Sequence, residues 1–225
     1  MNESTLNVNP IMTKTSRNFG RSIVVDENNL KETLLTKHYD LKIRKQSSVI
    51  VGNRIPRKFF WTSGVGESDI TIHAGSYHLA LKEAGIEQYN IMVYSSILPA
   101  IAEETSKPKN EEIIHGSVME TIMAVSNGEK GKRLTAGIIY GWLYHKITGK
   151  KYGGLVCEYS GHEDEPEARK SLHASLKELY TNGFSEDYEL KDIRIQSRSL
   201  IPKKRFGTAI VAIGFRDYVY PVIQE

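Results

Sequence analysis

Two adjacent serines, Ser95 and Ser96, interrupt the apolar run YNIMVYSSILPA, and Pro99 closes the run three residues after Ser96. Taken alone, such a pair is usually structural, its hydroxyls bonded to nearby backbone or exposed at a strand end. The setting also admits self-cleavage, because a peptide bond held under constraint can store strain. With the Ser96 hydroxyl held against the Ser95 carbonyl, attack gives a tetrahedral species that collapses to an ester. An activating base and an oxyanion donor help this step. Elimination across Cα and Cβ of residue 96, followed by hydrolysis, leaves a pyruvoyl group capping a new chain. Such a ketone captures an amino acid's amine and accepts the electrons released as the α-carboxylate leaves, the part pyridoxal phosphate plays elsewhere.

Decarboxylation of this kind also needs a proton donor, preferably a carboxylic acid held neutral by an apolar setting. Glu158 in GGLVCEYSG fits, at the end of an apolar strand, although an ordinary strand-end carboxylate paired with a lysine reads the same way. Other chemistry is poorly served. The single cysteine, Cys157, cannot close an intramolecular disulfide, and neither CxxC nor HExxH spacing occurs, which argues against a zinc site. The GxG of SGVGES lacks the third glycine of a dinucleotide fold and the GK[ST] of a phosphate loop.

These residues need elements to position them. KFFWTSGVGESD reads as a strand over Lys58 to Thr62 running into a glycine loop, and GSYHLALKEAG as a helix ended by Gly85. YNIMVYSSILP reads as one strand. HGSVMETIMAVSN and LTAGIIYGWLYHK, rich in β-branched and aromatic residues and joined by a turn, suggest a hairpin of long strands. YGGLVCEYSG, ELKDIRIQSRSLI and FGTAIVAIGF are further strands. EDEPEARKSLHASLKELYTNGF is the clearest helix: Pro166 suits its first turn, Ala168, Leu172, Leu176 and Leu179 share a face, and Gly183 ends it. The order of elements argues for an α+β domain with helices on sheet faces.

The 225 residues, 40% hydrophobic and 25% charged, can bury a sizeable core. No run of about 18 apolar residues exists to span a bilayer, and the N-terminus lacks the apolar core of a secretory signal, so a soluble cytoplasmic protein with no membrane partner is expected. Residues 1 to 58 carry eleven Lys/Arg against five Asp/Glu, whereas the remainder is net acidic. A basic arm can contact nucleic acid but is more often a solvated tail, and no interleaved aromatics suggest a base-stacking platform. Residues 1–55 are expected to form a partly disordered extension, with a short helix around Leu30 to Tyr39, and residues 56–225 the functional domain.

Over roughly Pro56 to Gln224 the sequence resembles the pyruvoyl-dependent arginine decarboxylase family. The resemblance rests on SGVGESD, ALKEAGIEQYNIMVYSSILP, HGSVMETIMA, GGLVCEYSG and KRFGTAIVAIGF followed by PVIQ, in that order. The first, third and last are most similar to the subgroup associated with acid resistance. The resemblance implies a four-layer αββα sandwich, self-cleaved between Ser95 and Ser96 into β and α chains, with Ser96 becoming the pyruvoyl cofactor. It implies Glu158 as the proton donor, and Asn90 near the scissile bond assisting processing or substrate placement. It further implies a small-molecule amino-acid substrate and a homotrimer of processed protomers, with active sites between neighbouring subunits. A role in polyamine biosynthesis or acid resistance would follow.

The sequence departs from the family at one informative position. In the family, the helix before the cleavage strand carries an aspartate that resembles a receptor for the substrate guanidinium; counting back from Ser95 and Ser96, His78 stands there. A carboxylate accepts two parallel hydrogen bonds from guanidinium and supplies a countercharge, whereas a neutral imidazole accepts one bond. Three readings stay open: a charge supplied by Glu67, Asp69 or Glu83, a different amino-acid substrate, or an unprocessed, non-catalytic paralogue.

Overall fold

The structure is a computed structural model and describes residues 51–222. The short helix expected near Leu30 to Tyr39, and most of the expected extension, lie outside the described residues. The chain divides into two compact units. The larger runs from Pro56 to Asp217. The smaller includes Val51–Ile55 and Tyr218–Val222; there Val51 and Val222 form an antiparallel bridge, and the Gly52 N–H donates to the Pro221 carbonyl at 2.7 Å.

Among the described residues are nine strands and two α-helices, an α+β arrangement rich in sheet. The strands are β1 (Ile55–Ser68), β2 (Asn90–Val93), β3 (Ile97–Pro99), β4 (Glu103–Glu104), β5 (Val118–Glu129), β6 (Leu134–His145), β7 (Lys151–Gly161), β8 (Tyr188–Leu200) and β9 (Phe206–Val219). The helices are α1 (His78–Ala84) and α2 (Glu165–Gly183). One sheet has the order β2-β5-β9-β1-β4, the other β3-β7-β6-β8. Helix α1 lies on the first, its Ala80, Leu81 and Ala84 packed with Phe60, Met119 and Ile210. Helix α2 lies on the second, where Leu172 and Leu176 meet Ile139, Leu143 and Leu155. The period-two alternation of β1 sends neighbouring side chains to opposite faces. Phe60 joins the α1 cluster, while Phe59 meets the Tyr140 ring edge-on at 5.8 Å and Trp61 stacks on Tyr140 at 5.6 Å.

The GxG motif is a seat for α1 rather than a loop. Strand β1 continues through it to Ser68, and a Cβ on Gly64 would stand 2.2 Å from the Ala80 carbonyl oxygen; one on Gly66 would stand 2.1 Å from that of Ser76. Only glycine lets the two backbones approach so closely. The helix ends at Gly85 in the left-handed conformation (φ 70°), as its sequence suggested. Its beginning is different. Ile72–Tyr77 form a π-helical turn, anchored by buried Ser76, whose hydroxyl pairs with that of Thr208 at 2.9 Å.

Three further readings are revised. Strands β5 and β6 are not a hairpin: β5 pairs with β2 and β9, β6 with β7 and β8, and residues 130–133 step from one sheet to the other. Burial explains this, since Leu134–Leu143 are all buried and such a strand needs partners along both edges. Helix α2 starts as expected, with the Asp164 side chain accepting from the Glu167 N–H at 3.0 Å, but Leu179 is 40% exposed and only Ala168, Leu172 and Leu176 are buried. The stretch expected as one strand around Ser95 and Ser96 is two.

Candidate active site

Strand β2 belongs to one sheet and β3 to the other, so Tyr94, Ser95 and Ser96 are where the chain crosses between them. Each side of the crossing is pinned. The Tyr94 N–H donates to the Thr121 carbonyl of β5 at 2.7 Å, and the Val156 N–H of β7 donates to the Ser96 carbonyl at 3.2 Å. At the crossing the Ser96 hydroxyl donates to a carboxylate oxygen of Glu158. The Ile97 N–H donates to the Ser95 carbonyl at 2.9 Å. A hydroxyl beside the Ser95–Ser96 bond thus has a base, and the carbonyl it would attack has a polarising donor.

Glu158 reaches this place because β7 alternates. Cys157 packs toward the α2 cluster, and Glu158 points the other way. Burial, then the Glu158 charge, push the Cys157 thiol up, which keeps it protonated and unreactive. Glu158 itself is exposed, and β7 runs three residues beyond it. The described residues therefore do not enclose it in the apolar setting its sequence suggested.

His78 and Asn90 sit together, away from the serines. Both line an open cleft of about 580 Å3 with His73, Tyr77, Leu81 and Tyr89. The wide π-helical turn is what presents His73 and His78, five residues apart, to one cleft, and His73 stacks on Tyr77 at 5.8 Å. Burial pushes the Tyr77 and Tyr89 hydroxyls up, so both stay neutral. The Asn90 amide donates to the Gly116 carbonyl at 2.6 Å. Asn90 opens β2, which is extended, so about 13 Å of backbone separates it from Tyr94. Within one chain the structure does not bring Asn90 to the scissile bond. The three carboxylates considered as guanidinium receptors are engaged elsewhere: Glu83 with Arg198 and the Val65 N–H, Glu67 with the Lys203 N–H, and Asp69 with the Arg205 N–H.

The β2–β3 edge is apolar and open, with Met92 51%, Val93 60% and Ile97 67% exposed. Sequence reasoning missed both this edge and the Ile97 N–H, since a backbone donor leaves no mark in residue type. No helix among the described residues is long and apolar enough to cross a membrane.

The pyruvoyl-dependent arginine decarboxylase family model matches residues 58–220. A pyruvoyl-dependent arginine decarboxylase of Methanosarcina acetivorans is 34% identical over 134 residues, covering 57% of this chain and 78% of that one. One of Thermococcus sibiricus is 29% identical over 166 residues, covering 72% and 97%. One of Chlamydia trachomatis serovar L2 is 30% identical over 189 residues, covering 74% and 94%. Enzymes of this family depend on a covalently bound pyruvoyl group derived from a serine of the chain. With that match across both sheets and both helices, the chain belongs to the pyruvoyl-dependent arginine decarboxylase family.

Proposed function

We propose that the protein cleaves itself between Ser95 and Ser96 and then decarboxylates L-arginine to agmatine and CO2. The observation that carries this reading is the Ser96 hydroxyl bonded to Glu158 at the crossing between the two sheets. In the uncut chain Glu158 takes the hydroxyl proton as the Ser96 Oγ attacks the Ser95 carbonyl carbon, and the Ile97 N–H steadies the oxyanion. Collapse of the tetrahedral species breaks the Ser95–Ser96 C–N bond, with Glu158 returning its proton to the Ser96 nitrogen. The ester that forms is then broken by elimination, in which Glu158 accepts the Ser96 Cα proton and the Ser95 carboxylate leaves. Addition of water and loss of ammonia complete the change at residue 96. The products are a β chain of residues 1–95 and an α chain of residues 96–225, the latter opening on the pyruvoyl group.

The residues at the crossing fit that group, since Ser96 has a carboxylate partner and lies outside regular strand. When formed, its carbonyl supplies the electron sink for the bond to the departing carboxylate. Glu158, now protonated, stands where it delivers a proton to the substrate Cα. His78 and Asn90 place the substrate from the cleft they share.

The two halves of this machinery lie at opposite ends of β2, and the open apolar edge between them favours completion by a neighbouring copy. A homotrimer of processed protomers, with its sites between subunits, is the assembly we propose. Helix α1, the two sheets and α2 are read as a four-layer αββα sandwich over residues 56–225, with residues 1–55 as an extension. Because each turnover consumes a proton, a cytoplasmic role in acid resistance or in supplying a polyamine precursor fits the reaction.

The cleft favours one second reading, decarboxylation of a different amino acid, because none of the side chains lining it is a carboxylate. Denaturing electrophoresis of the purified protein, followed by incubation with a panel of amino acids, tests both. Fragments of 95 and 130 residues and release of agmatine from arginine are expected. Faster release of another amine moves the substrate, and a lasting full-length band makes the chain a non-catalytic paralogue.

A further inference from the structure

A cavity of about 440 Å3 opens at the β4 and β8 edges, the edges opposite β2 and β3. Strand β6 lines it with the rings of Tyr140, Trp142 and Tyr144. Three carboxylates join them, Glu103 and Glu104 from β4 and Asp192 from β8. Two are oriented by phenols: Tyr140 donates to Glu104 at 3.2 Å and Tyr144 to Asp192 at 2.8 Å. Burial, reinforced by the Glu104 charge, pushes the Tyr140 hydroxyl up to about 12, so it remains a donor.

Asp192 is aimed into this space by an irregularity. The β6–β8 register slips here, with Tyr140 facing Arg194 but Trp142 facing Lys191. Asp192 takes φ 51°, the one positive value for a non-glycine among the described residues. Bulges redirect side chains, and a left-handed residue other than glycine costs roughly 1 kcal/mol or more, a strain that collects at binding sites.

The cavity already holds an ammonium group. Lys151 Nζ lies 3.2 Å from the Trp142 ring centroid and donates to the Ala102 carbonyl at 3.2 Å. Among the described residues that line the cavity, Lys151 and Arg194 face the three carboxylates, so one negative charge is left over. Lys191, outside the lining, lies 6.0 Å from the Tyr144 ring centroid and is paired with Glu189. Aromatic faces, room beside the lysine and a surplus carboxylate together select a cation with an apolar stem. A hard metal ion is poorly served, because rings stand where it would need oxygen ligands.

We propose that this cavity binds a small organic cation, an alkylammonium or a guanidinium, through Asp192, Glu103 and the Tyr144 ring, beside the Trp142 face that Lys151 covers. The site is separate from the decarboxylase reading, and its test uses neither cleavage nor turnover. The full-length chain carrying Ser96→Ala is titrated calorimetrically with 1,4-diaminobutane, methylguanidinium chloride and magnesium chloride; the first two tell ammonium from guanidinium. One organic cation per chain is expected. Asp192→Asn, which keeps a side chain tolerant of the left-handed backbone, should weaken binding about tenfold. Glu103→Gln should weaken it in the same direction, and Lys151→Gln, which frees the Trp142 face, should tighten it. Equal binding by both carboxylate variants and the parent, binding of magnesium in place of the organic cations, or no heat from either organic cation would overturn the proposal.

Discussion

The two ends of β2 differ in how they are made. At its C-terminal end, Ser96 and Glu158 meet because the chain steps from one sheet to the other and each side of the step is fixed by a backbone hydrogen bond. At its N-terminal end, His78 and Asn90 share a cleft because a π-helical turn, seated on two glycines of β1, brings a short helix beside the strand. The first end has what bond breaking needs: a hydroxyl, a base and an amide donor. The second has what side-chain recognition needs: rings, imidazoles and volume. One chain keeps the two apart by the length of an extended strand, and this separation is what favours the proposal that a second copy completes the site.

The division can be broken or sharpened experimentally. The largest effect is expected from Ser96→Ala, which should leave a single full-length band on denaturing electrophoresis; appearance of the two fragments would remove Ser96 from the mechanism. Glu158→Gln should slow decarboxylation by about 100-fold or more and also delay cleavage, read as single-turnover rates and as band conversion with time. Ordinary rates in both assays would leave its bond to Ser96 without a role.

Gly64→Ala places a Cβ against the α1 backbone and should cost about 2 kcal/mol or more in denaturant unfolding, because backbone atoms cannot give way as a side chain does. His78→Asp should lower the KM for arginine by about tenfold while cleavage stays unchanged, since a carboxylate receives guanidinium in two hydrogen bonds. A change in cleavage instead would show that the two ends are not separate.

The smallest effect lies away from both ends. Burial raises the Asp217 carboxyl, but its hydrogen bonds from Arg57 and Lys58 outweigh this and leave it below the ordinary range. A depressed carboxyl stabilises the fold above its unfolded pKa, and that contribution is lost as pH falls through the folded value. Asp217→Asn should therefore lower stability by about 1 kcal/mol at neutral pH, with the gap from the parent closing below about pH 4. Neither cleavage nor KM should move.

Much of this could be read from residue order. Helix α2 announces itself through Asp164, Pro166 and the spacing of Ala168, Leu172 and Leu176, all local signals that tertiary packing then uses. The strands ending at Gly161, Leu200 and Val219 follow from their runs of apolar and β-branched residues. Leu179 misled because its spacing matches the buried face while its place near the C-terminal end of the helix leaves it partly exposed. The supposed hairpin of β5 and β6 misled for another reason: a short loop joins facing sheets as readily as paired strands, and hydrophobicity does not say which.

The sequence by itself determined the kinds of group available: two serines in an apolar run, a glutamate on an alternating strand, and a histidine, His78, on the helix before the cleavage strand. Side-chain chemistry is local, so residue type and spacing are enough to name it. Only the tertiary structure decided which groups meet. Ser96 and Glu158 are 62 positions apart, and their contact depends on a chain crossing between two sheets; Asn90, six residues from Ser96, is kept away by an extended strand. Distance along a chain sets no distance in space until hydrogen-bonded partners fix the path, and those partners, Thr121 on β5 and Val156 on β7, come from far along the chain.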